Sequence, residues 1–192
     1  MKQNLRIAIL FTLVSTVIFG LIYPLAVTGL AQLLFPAQAN GSLITRNGQV
    51  VGSQLLGQAF SSPGYFRTRP SSAGTGYDAS QSSGSQLGPT NHQLIDRVKG
   101  DVAKLHAENP TAPIPVDLVT GSGSGLDPEI SPAAAEFQIP RVARERNIPE
   151  GDVCALVAKH TLGRQFGFLG ESRVRVLELN LDLDATYPKR SS

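Results

Sequence analysis

The run Gly121-Ser122-Gly123-Ser124-Gly125 is where this chain comes nearest to a recognisable chemical device. Backbone amides of a Gly/Ser loop can converge on an anion, and residues 116–119 just before it read as a short strand. The finer signatures fail. A Walker A loop needs a Lys to reach the phosphates, and none follows here. Leu126 stands where a dinucleotide fingerprint needs its third glycine. A hydrolase elbow would carry Ser at the centre of G-x-S-x-G, and Gly123 is there instead. His92, His106 and His160 are widely spaced, with the first two expected on the solvent side of one helix and the third at the end of another. A zinc site needs three or four convergent ligands, and no such set assembles. Asp127 and Glu129 precede a helix start, where the helix dipole accounts for them. Cys154 is single, so an internal disulfide is excluded. Its apolar helical surroundings predict a buried small side chain. On residues alone, 121–125 is a surface turn with anion or nucleotide contact as the alternative, and no enzyme site is complete.

The elements that carry these residues begin with a long apolar segment. From Ile7 to Thr45 there is no Asp, Glu, Lys or Arg. Crossing a bilayer core of about 30 Å takes about 20 apolar residues as a helix, and residues 7–34 exceed that. A cleaved signal peptide is the competing reading, since Ala37-Gln38-Ala39 has the A-x-A form. Signal h-regions, however, run only about 7–15 residues. Lys2 and Arg6 precede the helix and Arg46 is the next cation, so the positive-inside rule places the N-terminus in the cytoplasm and the rest outside. The expected organisation is a cytoplasmic stub at 1–6, a transmembrane helix at 7–34 and a soluble α+β domain at 35–192. Within the helix Thr12, Thr16, Gly20, Pro24, Thr28 and Gln32 recur at every fourth position. Such a ridge of small and hydroxyl side chains lets another helix approach closely. Pro24 is expected to kink the helix near Gly20.

Lys2 and Arg6 account for the whole formal excess of +2, so the domain is neutral and offers no footprint for nucleic acid. Asn47-Gly48 between residues 42–46 and 49–53 predicts a type I′ hairpin. Residues 61–89 are rich in Ser, Gly and Pro, but interleaved Tyr65, Phe66, Arg67 and Arg69 predict an ordered surface loop. Leu94, Ile95, Val98, Val102 and Leu105 mark one face of a helix over 91–108. Ser131-Pro132 is an N-cap with proline at the first helical position. Pro140 then breaks or kinks that helix, with 141–146 as its continuation. A helix over 150–162 points Val153, Leu156 and Val157 inward and stops at Gly163. Alternating leucines from Leu177 to Leu183 predict a strand over 173–184 with a bulge near Val176-Leu177.

Taken together, these segments resemble the C subunit of the Kdp high-affinity potassium-transporting P-type ATPase of bacteria and archaea. The matching runs include Tyr23-Pro24-Leu25, residues 35–43, Tyr65-Phe66 with Arg69-Pro70-Ser71, residues 115–120, residues 122–128 and 131–135. Gln138 with Pro140-Arg141-Val142-Ala143, His160-Thr161, Leu169-Gly170-Glu171 and Leu179-Asn180-Leu181 complete them. The resemblance implies a non-catalytic subunit of a membrane complex, partnered by a channel-like potassium subunit, a P-type ATP-hydrolysing subunit and membrane lipid. It implies a role in assembly and as a catalytic chaperone that raises the pump's ATP affinity. No cofactor would be tightly bound, with ATP engaged only in a transient ternary complex. By the same resemblance Ser122, Gly123, Ser124, Gly125 and Gln138 would contact the nucleotide, in a loop likened to the signature loop of ABC transporters. The charge asymmetry points the other way, because it puts the domain outside while P-type pumps bind ATP in the cytoplasm. The alternative is an anchored extracytoplasmic ligand-binding or hydrolytic domain acting alone.

Overall fold

The computed structural model describes residues 1–188 and divides into two compact units, Met1–Val51 and a second from Gly52 onward. In the first, α1 (Lys2–Ser15), a π-helical stretch (Thr16–Ile22) and α2 (Tyr23–Leu34) run on as one helix. That helix, Lys2–Leu34, has a mean hydropathy of 2.3 and none of it is buried, which suits it to a bilayer. It starts at Lys2 rather than at Ile7.

The π stretch is the structure's answer to Pro24. A proline removes one backbone donor, and its ring crowds the carbonyl four residues back. Widening the preceding turn relieves both, and the Tyr23 amide reaches the carbonyl of Ile18, five residues back. The ridge gains from this. In an α-helix each four-residue step overshoots a full turn by about 40°, so five steps would carry the ridge about 200° around the axis. With five-residue bonding a four-residue step falls short of a turn and rotates the ridge back. Thr16, Gly20 and Pro24 span the π stretch, so the six positions stay nearer to one face. At its far end Gln32 and Asn40 exchange side-chain amide hydrogen bonds of 3.3 and 3.2 Å, folding the single turn α3 (Pro36–Ala39) against the helix end. A hairpin, β1 (Leu43–Arg46) and β2 (Gln49–Ser53), follows. Asn47 and Gly48 have φ of 52° and 78°, the type I′ turn that Asn-Gly predicts.

In the second unit α5 (Pro132–Arg146), α6 (Glu150–Lys159) and α7 (Val176–Thr186) pack with a small antiparallel sheet. The sheet has the order β3-β5-β4, from β3 (Glu129–Ile130), β4 (Thr161–Leu162) and β5 (Arg173–Arg175). Ile130 lies opposite Val174, which also faces Thr161. Ile130, Val142, Val153, Val174, Val176, Leu179 and Leu183 form the centre of the core. The helix α4 (His92–Glu108) is amphipathic but has no fully buried residue; Leu105 is the point at which it packs on the core. Ser131 caps α5 by accepting from the Ala134 amide, and Pro140 sits inside that helix without ending it.

Four expectations fail. Residues 116–119 form a 3-10 turn (Val116–Leu118), not a strand. Asp117 at its centre is committed to the start of α5, accepting from the amide and hydroxyl of Ser131 at 2.8 and 3.1 Å. Residues 173–184 are a strand for only three residues and then a helix. Alternating leucines fit a strand, but Val176, Leu179, Asn180 and Leu183 also share one helical face, and those positions are buried together with Leu177. Leucine is a strong helix former and lacks the β-branch that strands favour. Finally, Cys154 is exposed, not buried. Val153, Leu156 and Val157 turn inward from α6, and the neighbour of Val153 lies about 100° further round. The helix also ends at Lys159, before the predicted 162, because Thr161 and Leu162 pair with β5.

Candidate functional site

Tyr65, Phe66 and Arg67 lie in a loop without regular structure, yet Phe66 is completely buried. Extended backbone in an apolar core needs partners for its amides and carbonyls. Two side-chain amides supply them. Asn180 on α7 accepts from the Phe66 amide and donates to the Phe66 carbonyl, both at 2.9 Å. Gln138 on α5 accepts from the Arg67 amide at 2.9 Å and donates to the Arg67 carbonyl at 3.2 Å. Each amide does for one residue what a neighbouring strand would do, and consecutive residues are held from two helices.

Gln138 is then fully occupied. Its oxygen also accepts from Arg141 at 2.7 Å, and its nitrogen also donates to the Ala134 carbonyl at 3.1 Å. Two donors and two lone pairs are all that a glutamine amide offers.

Arg141 ties the clamp together. Its side chain is only 4% exposed and pairs with Glu108 at 2.6 Å, while its Nη1 donates to the carbonyls of Pro63 and Tyr65. Burial pulls its pKa down, and the bond to Glu108 opposes that. Nearby, Arg146 donates to the carbonyls of Gly64 and Tyr187 and lies 4.6 Å from the Tyr65 ring centre. Its Nη2 is buried without a well-angled hydrogen bond, but Asp184 lies 2.8 Å away and compensates the charge. Tyr65 donates to Asp184 at 2.8 Å; burial, and then this bond, raise the phenol's pKa.

A cavity of about 340 Å³ opens beside the clamp, lined by Phe60, Arg67, Tyr77, Lys104, Glu108 and Gln138 among others. Tyr77 donates to the Arg69 carbonyl at 2.7 Å, and burial raises its pKa.

The Gly/Ser loop is elsewhere. Ser122 lines a different cavity, with Leu94, Val98 and Thr120, so Gln138 and the loop do not share one pocket. The loop is shaped from within: Ser124 accepts from the Leu126 amide at 3.1 Å, and Ser82 donates to the Ser124 carbonyl at 3.1 Å. Gly125 has a φ of +67°, and a Cβ there would lie 2.6 Å from the Ser83 carbonyl oxygen. Beneath the loop's first residues lies Arg69, which donates to the carbonyls of Thr120 and Gly121 and pairs with Asp127 at 3.3 Å. Among the described residues no three His, Cys, Asp or Glu side chains are grouped to hold a metal.

Known proteins match this chain along nearly its whole length. Residues 5–185 match the family described as "K+-transporting ATPase, c chain". The chain belongs to that family. It is 59% identical over 188 residues to the potassium-transporting ATPase KdpC subunit of Koribacter versatilis, covering 98% of this chain and 97% of the relative. The KdpC subunit of Caulobacter vibrioides is 58% identical over 193 residues, covering 100% and 98%. That of Methylorubrum populi is 56% identical over 196 residues, covering 96% and 98%. As a member of this family, the chain is a subunit of a potassium-transporting ATPase. No motif in the sequence marks Glu108, Arg146 and Asn180, which complete the clamp. The one available signal was Asn180, a polar residue at helical spacing from Val176 and Leu183.

Proposed function

We propose that this chain is a non-catalytic accessory subunit that stabilises a potassium-uptake complex from outside the membrane. Its helix packs among the membrane-embedded subunits, a channel-like potassium subunit and a P-type ATP-hydrolysing one, and its domain covers the external ion entrance. The observation that supports this reading is the ridge of Thr12, Thr16, Gly20, Pro24, Thr28 and Gln32 on a lipid-length helix, whose drift around the axis a π stretch reduces. Replacing Gly20 and Thr28 by Leu fills the approach surface without adding charge. Co-purification of the complex from membranes is expected to fall several-fold. Wild-type recovery and transport in that variant would remove the helix-packing reading.

The inner-membrane, cytoplasm-in orientation rests on Lys2 and Arg6. The exposed thiol of Cys154 tests it: a membrane-impermeant maleimide added to intact cells should label it if the domain is outside. Labelling only after lysis would reverse the orientation.

The competing reading, given by family resemblance, is that the subunit raises the pump's affinity for ATP with Ser122, Gly123, Ser124, Gly125 and Gln138 as the nucleotide contacts. It requires the domain to meet cytoplasmic ATP and so excludes the external placement. Support for the loop is its exposed Gly123 and Ser124, with the Arg69 cation beneath. Gln138 would have to give up an internal bond to take part. Gly123 has open space at its Cβ position, so Gly123→Leu leaves the fold intact. In the assembled pump it should raise the KM for ATP several-fold at constant kcat; an unchanged KM removes the loop from the nucleotide site.

A further inference from the structure

Between β4 and β5 the chain makes a small projecting hairpin. Gln165 and Leu169 exchange backbone hydrogen bonds of 2.9 Å in both directions, and Arg164 pairs with Glu171 across the base at 2.6 Å. At the tip, Phe166 is 87% exposed and Phe168 70% exposed. Neither ring belongs to the core, so folding of the domain does not explain them. Phe166 also has a φ of 52°, a left-handed conformation that costs a bulky residue about 1–2 kcal/mol and that glycine would adopt freely. With Gly167 at 81° the turn requires this left-handed pair, and it holds an exposed aromatic residue at a position where glycine would cost less. Beside the hairpin, exposed Val116 and Leu169 line an open groove of about 660 Å³ together with Asp117, Glu129 and Arg173. Exposed apolar side chains grouped among charged ones suit a protein interface.

We propose that Phe166 and Phe168 are the anchor of this domain on another protein subunit of the potassium-transporting ATPase, seated in an apolar pocket of that subunit. The inference rests on the accessory-subunit reading and names the surface through which the domain docks. Charge and side-chain type favour protein over lipid. Arg164 is neutralised by Glu171, so the tip presents no net cation to anionic headgroups. Interfacial anchors in lipid are chiefly Trp and Tyr, whose polar ends meet the headgroups, whereas phenylalanine has no polar end. Preorganised aromatic anchors of this kind dominate interface energetics.

The test uses the full complex in its native membrane. With Phe166→p-benzoylphenylalanine, ultraviolet irradiation should give a covalent adduct with another protein subunit of the pump. An adduct only with lipid, only with a second copy of this chain, or with nothing would overturn the proposal. In parallel, the Phe166→Ser, Phe168→Ser double variant should keep the wild-type melting temperature, because neither ring is in the core. It should lower recovery of the complex about tenfold; wild-type recovery would overturn the proposal as well. Failure of the unmodified chain to co-purify with the pump would instead defeat the accessory-subunit reading.

Discussion

Replacing Asn180 tests whether the amide clamp organises the domain. Asn180→Leu keeps the branched heavy-atom shape of the side chain and does not weaken α7 in helix propensity, but removes both bonds to Phe66. The Phe66 amide and carbonyl then remain buried with no water in reach, since Phe66 is 0% and Asn180 1% exposed. Leaving a buried polar group unsatisfied costs about 1–3 kcal/mol, so two such groups cost about 2–6 kcal/mol. At about 2–4 °C per kcal/mol for a chain of this size, the melting temperature of the detergent-solubilised protein should fall by at least about 4 °C. Asn180→Asp sharpens the test. A protonated carboxyl reproduces both bonds, with its hydroxyl donating to the Phe66 carbonyl and its carbonyl oxygen accepting from the amide. An ionised carboxylate loses the donor and faces a carbonyl. Its folded pKa is therefore raised above the unfolded value of about 3.9. The stabilisation is complete below that value and is lost as pH rises through the folded pKa. Melting temperatures followed from pH 4 to pH 8 should thus fall relative to wild type as pH rises. A leucine variant within about 1 °C of wild type, or an aspartate variant with a flat profile against wild type, would refute the clamp.

Glu108→Gln leaves the buried guanidinium of Arg141 without its 2.6 Å counter-charge; breaking a buried pair costs about 3–5 kcal/mol, to be read as a lower urea midpoint. The bond from Lys159, and next that from His160, lower the pKa of Asp182 below its ordinary 3.8. That stabilisation is present above the unfolded pKa and lost as pH falls through the folded one, so Asp182→Asn should flatten the acid limb of a stability–pH curve. Gly125→Ala should destabilise by about 2 kcal/mol or more through its positive φ and crowded Cβ, while Gly123→Ala should be close to neutral; equal melting temperatures for the two would contradict the loop geometry.

The elements legible in the sequence were those specified by local chemistry. Asn47-Gly48 admits the left-handed φ values of its turn, Ser131-Pro132 starts α5, and an uncharged apolar run has one stable form in lipid. Illegible elements were those where two periods fit the same residues. Leu177, Leu179, Leu181 and Leu183 satisfy a strand, whereas Val176, Leu179, Asn180 and Leu183 satisfy a helix, and packing chose the second. Of the candidate site, the Gly/Ser loop was visible as composition. The partners of Gln138 and Asn180 were not, because Gln138 reaches Arg67 across 71 residues of chain and Asn180 reaches Phe66 across 114.

Sequence by itself determined that this chain carries a lipid-length helix with a small-residue ridge, a neutral mixed domain and the signature of its family. All of these follow from composition, spacing and local order. Tertiary structure decided that Gln138 and Asn180 serve buried backbone, that Cys154 faces solvent, and that Phe166 and Phe168 face it too. Those outcomes depend on which helix face the core takes up and on where distant carbonyls arrive, and the burial of one polar or apolar group is settled only when its neighbours are in place.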